Sequence, residues 1–286
     1  MDIVIQLLIN GLVSGALYSI IAMGFNFLYS PSKVFNIAHA SLIPLGGYLA
    51  LSFIQIGSPF LLSLVLASLC SGVGGVLIDR LVYLPLRKRK ASGLILLIAS
   101  LGIFTALQGL LELIFTSHYQ SIPRPYEDQI FSIGGATVTS TQVAAILVAI
   151  VVLISLLLIL RYTDFGKKVR AVSDDPEVSR IVGIDTERII LITFFVGSAL
   201  AGLAGIFIGL DIGLEPSMGM YWFLGAVIGA IIGTIGNVAG GVLGSLIAGI
   251  NENVGVWFLA GEWRSAVGYA LLILVLLFRP QGFFKR

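Results

Sequence analysis

Few residues in this chain are of a type that does chemistry by itself. His39 and His118 stand far apart, and neither belongs to a His-Glu-x-x-His or comparable metal-binding spacing. The lone cysteine, Cys70, sits in an apolar run with no evident activating partner, so neither a disulfide framework nor a thiolate nucleophile is expected. No catalytic residue and no metal ligand follow from these types and spacings. Gln108 and Glu112 are four residues apart and share one helix face. A membrane-embedded carboxylate there faces a bundle interior or cavity, unless it reaches the headgroups. The densest charge lies in 161–188, around Arg170-Ala-Val-Ser-Asp-Asp-Pro-Glu-Val-Ser-Arg-Ile-Val-Gly-Ile-Asp185. Asp174 or Asp175 can cap a helix that begins at Pro176, carries Glu177 in its first turn and ends at Gly183. Val178, Ile181 and Val182 would then share one side, with Glu177 and Arg180 on others. Such a helix does recognition chemistry, lying in a partner's groove; the plainer alternative is a solvated loop that only enforces topology.

The elements that must position these residues are membrane helices. With 57% hydrophobic and 11% charged residues and a mean hydropathy of +1.03, the chain has too little polar surface for a soluble globule, where about a quarter of residues are charged. A nucleic-acid binder is excluded on the same ground, since the net charge of +2 is spread along loops. Apolar stretches predict an all-α, polytopic transmembrane bundle of about eight segments, near 3–29, 36–56, 60–82, 93–116, 141–160, 189–210, 218–250 and 265–278. The 218–250 stretch is too long for one crossing and is interrupted by Gly236, Asn237, Gly240 and Gly241, which predicts a broken helix or a hairpin. Neither the charged loop 161–188 nor the polar loop 117–140 can hold a folded domain, so 1–286 reads as one membrane domain. The N-terminus lacks a basic n-region and a small-residue cleavage site, so the first segment reads as a retained helix.

Orientation follows from Lys and Arg. Lys33, Arg80, Arg87, Lys88, Arg89, Lys90, Arg161, Lys167, Lys168, Arg170, Arg180, Arg188, Arg279, Lys285 and Arg286 all fall inside if the N-terminus is outside and the C-terminus inside. Only Arg124 and Arg264 fall opposite. The outer side carries Asp2, Glu127, Asp128, Asp211, Glu215, Glu252 and Glu262, with Trp222, Trp257 and Trp263 near it as an interfacial belt.

Pro44, Gly46 and Gly47 should weaken or kink the second segment, and transporters place solute paths beside such breaks. Asn36, His39, Ser41 and Tyr48, with Gln108 and with Gly236 and Asn237 at the later break, are therefore the candidate substrate pathway. His39 has a plainer role open to it as a hydrogen-bonded structural group. The four-residue spacing of Gly225, Gly229 and Gly233, and of Gly236, Gly240 and Gly244, reads as close helix packing.

The charged loop resembles the coupling loop of permease subunits of the branched-chain amino acid ABC importer family, in its shorter, high-affinity subunit type. Arg170, Ala171, Asp174, Asp175, Gly183 and Ile184 match its pattern of Arg-Ala, an acidic pair and a closing Gly-Ile/Val; Ser179 stands where the family has Ala. Phe35-Asn-Ile-Ala-His-Ala-Ser through Gly47-Tyr48 resembles the family's second-helix motif, with Ala40 replacing a Gly. Ser100 through Glu112 resembles its fourth helix, matching at Gln108 but not at Gly109. The break at Gly233–Gly241 and the ending Phe278-Arg-Pro-Gln-Gly-Phe283 are similar to the family's late helices and close. The resemblance implies that Arg170, Asp174, Asp175, Pro176, Glu177, Ser179, Gly183 and Ile184 couple to an ATPase. It implies a second related permease, two cytoplasmic ATPase subunits and an extracytoplasmic solute-binding protein in a bacterial or archaeal inner membrane. ATP and Mg would be bound by the partners, with no cofactor on this chain. The solute would be a branched-chain amino acid, or urea, an amide or another small solute, which close relatives carry. An ion-coupled secondary transporter shares the hydrophobicity and broken helices, but would place more charge deep in its helices.

Overall fold

The computed structural model describes residues 2–126, 128–259, 261–279 and 282–283. Glu127, Lys285 and Arg286, and Pro280 and Gln281 of the C-terminal motif, lie outside the described residues. Within them the chain is a polytopic helical bundle: twelve α-helices and one β-hairpin are present, and six helices are long and apolar enough to cross a membrane.

The centre is built on α1 (Asp2–Ser32), which runs antiparallel to α11 (Val238–Phe258). Small residues set that contact: a Cβ at Gly11 would lie 2.7 Å from Ile250 Cα, and one at Gly249 2.6 Å from Gly15 Cα. Lipid offers no hydrophobic drive between helices, so close backbone packing of this kind holds them. Around the pair stand α2 (His39–Gln55), α3 (Phe60–Ile78), α9 (Thr186–Asp211) and α10 (Met218–Ile232). Tyr18, Phe25, Phe194 and Phe223 are wholly buried among them. α5 (Gly93–Phe115), α6 (Ser140–Tyr162) and α12 (Arg264–Phe278) form the periphery and turn Leu113, Val151, Ile154 and Leu277 outward, as helices apolar all round do in lipid.

The eight expected apolar segments correspond to α1, α2, α3, α5, α6, α9, the α10–α11 pair and α12. The remaining helices are short and carry charge: α4 (Leu84–Lys88), α7 (Asp164–Asp174) and α8 (Pro176–Ile181). A π-turn, Asp79–Tyr83, joins α3 to α4, so that helix runs on to Lys88, past the expected end at 82. Inside it, buried Asp79 pairs with Arg87 at 2.7 Å. The polar loop before α6 forms a two-stranded hairpin, β1 (Ile130–Ile133) with β2 (Ala136–Thr139). Asp128 there accepts from the Ser140 and Thr141 hydroxyls at 2.7 and 2.8 Å.

One expectation for the second segment needs correction. Its helix begins at His39, not near 36, because Phe35–Ala38 turns into the bundle and its polar groups find side-chain partners: the Tyr83 hydroxyl donates to Asn36 Oδ1 (2.6 Å) and Ile37 N–H donates to Ser100 Oγ (3.2 Å). α2 runs on through Pro44, Gly46 and Gly47, and Gly46 lies against the Gly202 backbone of α9.

The 218–250 stretch is a hairpin. α10, with 15 residues, is about 22 Å long and begins inside the bundle, where Gly219 lies against Ala40 and Pro44. Gly233–Asn237 turns the chain, and α11 returns with Gly240 and Gly244 against Gly233 and Gly229. The tip lies at the same end of the bundle as the end of α1, α7 and Phe283, whose N–H donates to Ile232 O at 2.9 Å. At the opposite end Gln6 donates to Thr137 O (3.0 Å) and Gln142 to Asp211 (3.1 Å).

Candidate functional site

The charged segment between α6 and α9 is a pair of capped helices. Thr163 caps α7 by accepting from Gly166 N–H at 3.0 Å. On its exposed first turn, the Lys167 ammonium donates to Asp164 at 2.9 Å and holds that carboxyl below its ordinary range. Asp175, one of the two residues fit for the role, caps α8: its Oδ1 accepts from Glu177 N–H (2.8 Å) and Val178 N–H (3.0 Å), with Pro176 as first helical residue. Gly183 ends the turn at φ +85°, where a side chain would be strained. Ile184 follows with its N–H on Ser179 O at 2.9 Å. Asp185 then caps α9 through Arg188 N–H (3.0 Å).

α8 leaves its apolar side uncovered. Val178 is 53% exposed, Ile181 83% and Val182 69%, while Ser179 is buried towards the bundle. Three aliphatic side chains, two on α8 and one at the Val182 residue that ends it, therefore stand open at the charged end of the bundle.

This segment is tied to the hairpin tip through α1. Ser30 donates to Ser173 Oγ of α7 at 2.9 Å. One turn earlier, wholly buried Asn26 grips the tip at both ends of its amide: Gly236 N–H donates to its Oδ1 (2.7 Å), and its Nδ2 donates to Asn237 O (3.2 Å). Asn237 in turn caps α11 by accepting from Gly240 N–H at 3.0 Å. The tip itself holds Thr234 at φ +79° and Gly236 at φ +83°; for β-branched Thr234 that backbone costs about 1–3 kcal/mol. A cavity of about 280 Å³ opens between tip and loop, with Arg170, Ser173 and Asp174 on one wall and Gly236, Asn237 and Val238 on another. Arg170 reaches from α7 to donate to Leu160 O at the end of α6.

The structure thus brings Arg170, Asp174, Gly236 and Asn237 together, and disperses the other candidates. His39 is buried at the start of α2 between Phe25 and Phe223, whose rings lie 6.4 and 6.1 Å away. Ser41 donates to Ala38 O at 2.7 Å. Tyr48 is buried and stacks on Phe115, centroids 4.4 Å apart. Gln108 is half-buried on the flank of α5 and donates to exposed Glu112 at 3.0 Å; Gly102 and Gly109 on that helix face open space. Reasoning from motifs missed Asn26 and Ser30, although a polar side chain deep in an apolar helix is itself a signal. It also missed a buried network at the other end, where the Tyr18 hydroxyl donates to Glu252 Oε2 (2.8 Å) and Arg264 lies 3.7 Å from that carboxylate.

The family model described as "Branched-chain amino acid transport system / permease component" matches residues 7–276. The chain is 31% identical to the high-affinity branched-chain amino acid transport system permease protein LivH of Escherichia coli (strain K12), over 99% of this chain and 96% of that one. It is 30% identical to BraD of Pseudomonas aeruginosa, with the same coverage. It is 27% identical to a probable LivH of Methanocaldococcus jannaschii, over 97% of this chain and 91% of that one. With residues 7–276 matched and six apolar helices long enough to cross a bilayer, this multi-pass membrane chain belongs to the branched-chain amino acid transport permease family.

Proposed function

We propose that this chain is one permease subunit of an ABC importer that carries an aliphatic amino acid across the inner membrane by alternating access. The observation that carries the reading is the continuity from the exposed apolar face of α8, through Ser173 and Ser30, to the Asn26 clamp on the hairpin tip. ATP and Mg²⁺ are bound by two cytoplasmic ATPase subunits, one of which receives Val178, Ile181 and Val182. Its closure moves α7 and α8, and α1 passes the displacement to the tip. The excess of Lys and Arg at the end bearing α7 and α8 supports placing that end in the cytoplasm.

A second permease subunit pairs with this one along α5. Exposed Glu112, bonded to half-buried Gln108, would be costly against lipid, and with bare Gly102 and Gly109 it is suited to lining a polar path between two subunits. The opposite end, with its β-hairpin, receives a solute-binding protein.

The test is gentle purification of the tagged chain from its native membrane, followed by reconstitution of what is retained. Two ATPase chains and a second multispanning chain should co-purify, and vesicles with trapped ATP should take up L-leucine. Uptake driven by a proton gradient without ATP, by the chain alone, would overturn the reading in favour of a secondary transporter. ATP-driven uptake of urea in place of leucine would keep the mechanism and change the solute.

A further inference from the structure

The cavity between the hairpin tip and α7 has a chemistry that coupling alone does not use. One wall carries opposite charges that do not meet. Arg170 and Asp174 are one helical turn apart on α7, yet no ion pair joins them. The Arg170 guanidinium is fixed at the mouth by donating to Leu160 O and keeps further N–H groups free to bind. Asp174 is exposed and caps no helix. Asp175 is the cap of α8, and Asp174 ends α7, where the helix dipole disfavours a carboxylate. No hydrogen bond or ion pair of its side chain occurs among the described residues. Asn237, whose Oδ1 is taken up in capping α11, also lines this space. Apart from Ser30 and Ser173, which are bonded to each other, the remaining walls are apolar, with Phe27, Leu157, Leu160 and Val169 among them.

Small-molecule sites are concave, mostly apolar and fitted with a few placed polar groups. A cavity of about 280 Å³, with a cation and an anion held one turn apart and an aliphatic wall beside them, matches a small zwitterion bearing an aliphatic side chain. We propose that this cavity is an inner-face binding site for a free aliphatic α-amino acid. The carboxylate meets Arg170 and Asn237, the ammonium meets Asp174, and the side chain lies against Leu157 and Val169. A molecule there bridges α7 to the hairpin tip that Asn26 holds, and so resists the relative movement of the two. The accumulated product then slows its own import. This site deepens the proposed function and rests on its amino-acid reading.

The test uses the complete importer in phosphatidylcholine vesicles, where no ethanolamine headgroup competes for the cavity. ATP is trapped inside, and initial uptake of labelled L-leucine is measured with and without unlabelled L-leucine inside. Internal leucine should slow uptake by at least about fivefold, the lower end of ordinary coupling between sites. Internal leucinol, which lacks the carboxylate, and internal N-acetylleucine, which lacks the ammonium, should not. Leu157→Trp, which fills the apolar wall from a half-exposed position on α6, should keep the uptake rate of empty vesicles and lose the inhibition. Equal inhibition by leucinol, full inhibition of Leu157→Trp, or none by leucine in the unaltered importer would overturn the site. Absence of ATP-driven leucine uptake in vesicles with no internal leucine would instead be the failure of the importer reading.

Discussion

Gly236 N–H donates to Asn26 Oδ1 at 2.7 Å, across 210 residues of chain, and the same amide returns a hydrogen bond to Asn237 O. One side chain, itself wholly buried, therefore satisfies two backbone groups of a half-buried turn at the charged end of the bundle. Asn26→Ala leaves both groups unmet, each costing about 1–3 kcal/mol when buried. The expected result is a lowered melting temperature in detergent. The purified importer should also hydrolyse ATP with little transport, measured as the ratio of leucine taken up to ATP consumed. A normal ratio in a stable Asn26→Ala importer would remove the clamp from the coupling route.

The apolar face of α8 is open, so changing it should not cost bundle stability. Ile181→Glu places a charge where 83% of the side chain is exposed, a change usually within about 0.5 kcal/mol for the isolated chain. Against a partner's groove the same carboxylate is desolvated without a counterion. Expression and melting should stay near normal while co-purification of the ATPase subunits falls. Full retention of both ATPases would place the docking face elsewhere.

The cap of α8 separates order in the loop from contact with a partner. Asp175→Ala removes the acceptor for Glu177 N–H and Val178 N–H, at a cost of about 1 kcal/mol, which a six-residue helix has little else to offset. Gly183→Val strains the φ of +85° that closes it. Both should leave the melting temperature of the bundle unchanged and uncouple ATP hydrolysis from transport, and Asp175→Asn, which keeps an acceptor oxygen, should restore much of the coupling. Tightly coupled uptake in Asp175→Ala and Gly183→Val would retire the segment from this role.

These contrasts show where the chain was readable. Asp175-Pro176-Glu177 and Gly183 announce a short capped helix because every group involved lies within nine residues, and the bonds form as the spacing predicts. The glycine-rich interruption at 233–241 likewise announced the hairpin, since close packing needs only the absence of side chains. The start of α2 was not readable. Its position depends on Tyr83 and Ser100 reaching Asn36 and Ile37 from other helices, and no local pattern encodes that. The same holds for the setting of Tyr48, a pathway candidate beside Pro44, Gly46 and Gly47, whose ring stacks on Phe115 of a different helix. Asn26 fell between the two cases: its type was anomalous in an apolar helix, but its partners were remote.

The network at the other end of the bundle fixes α12 to the centre. Glu252 is 2% exposed, receives a hydrogen bond from Tyr18 and lies 3.7 Å from the Arg264 Nε at the start of α12. Arg264 also donates to Ser14 Oγ of α1 at 2.8 Å, so one guanidinium links α1, α11 and α12. Removing one partner of a buried pair costs about 3–5 kcal/mol, because a charge is left uncompensated. Arg264→Met should fall at the lower end of that range, since the Tyr18 hydroxyl remains and Arg264 is itself about a third exposed. Glu252→Gln in the same background removes the stranded charge, so the double variant should melt above Arg264→Met alone. A double-mutant cycle on the melting temperature of the purified importer reads that coupling. Additive losses would show that α12 is held by packing alone and that the ion pair contributes nothing to its docking.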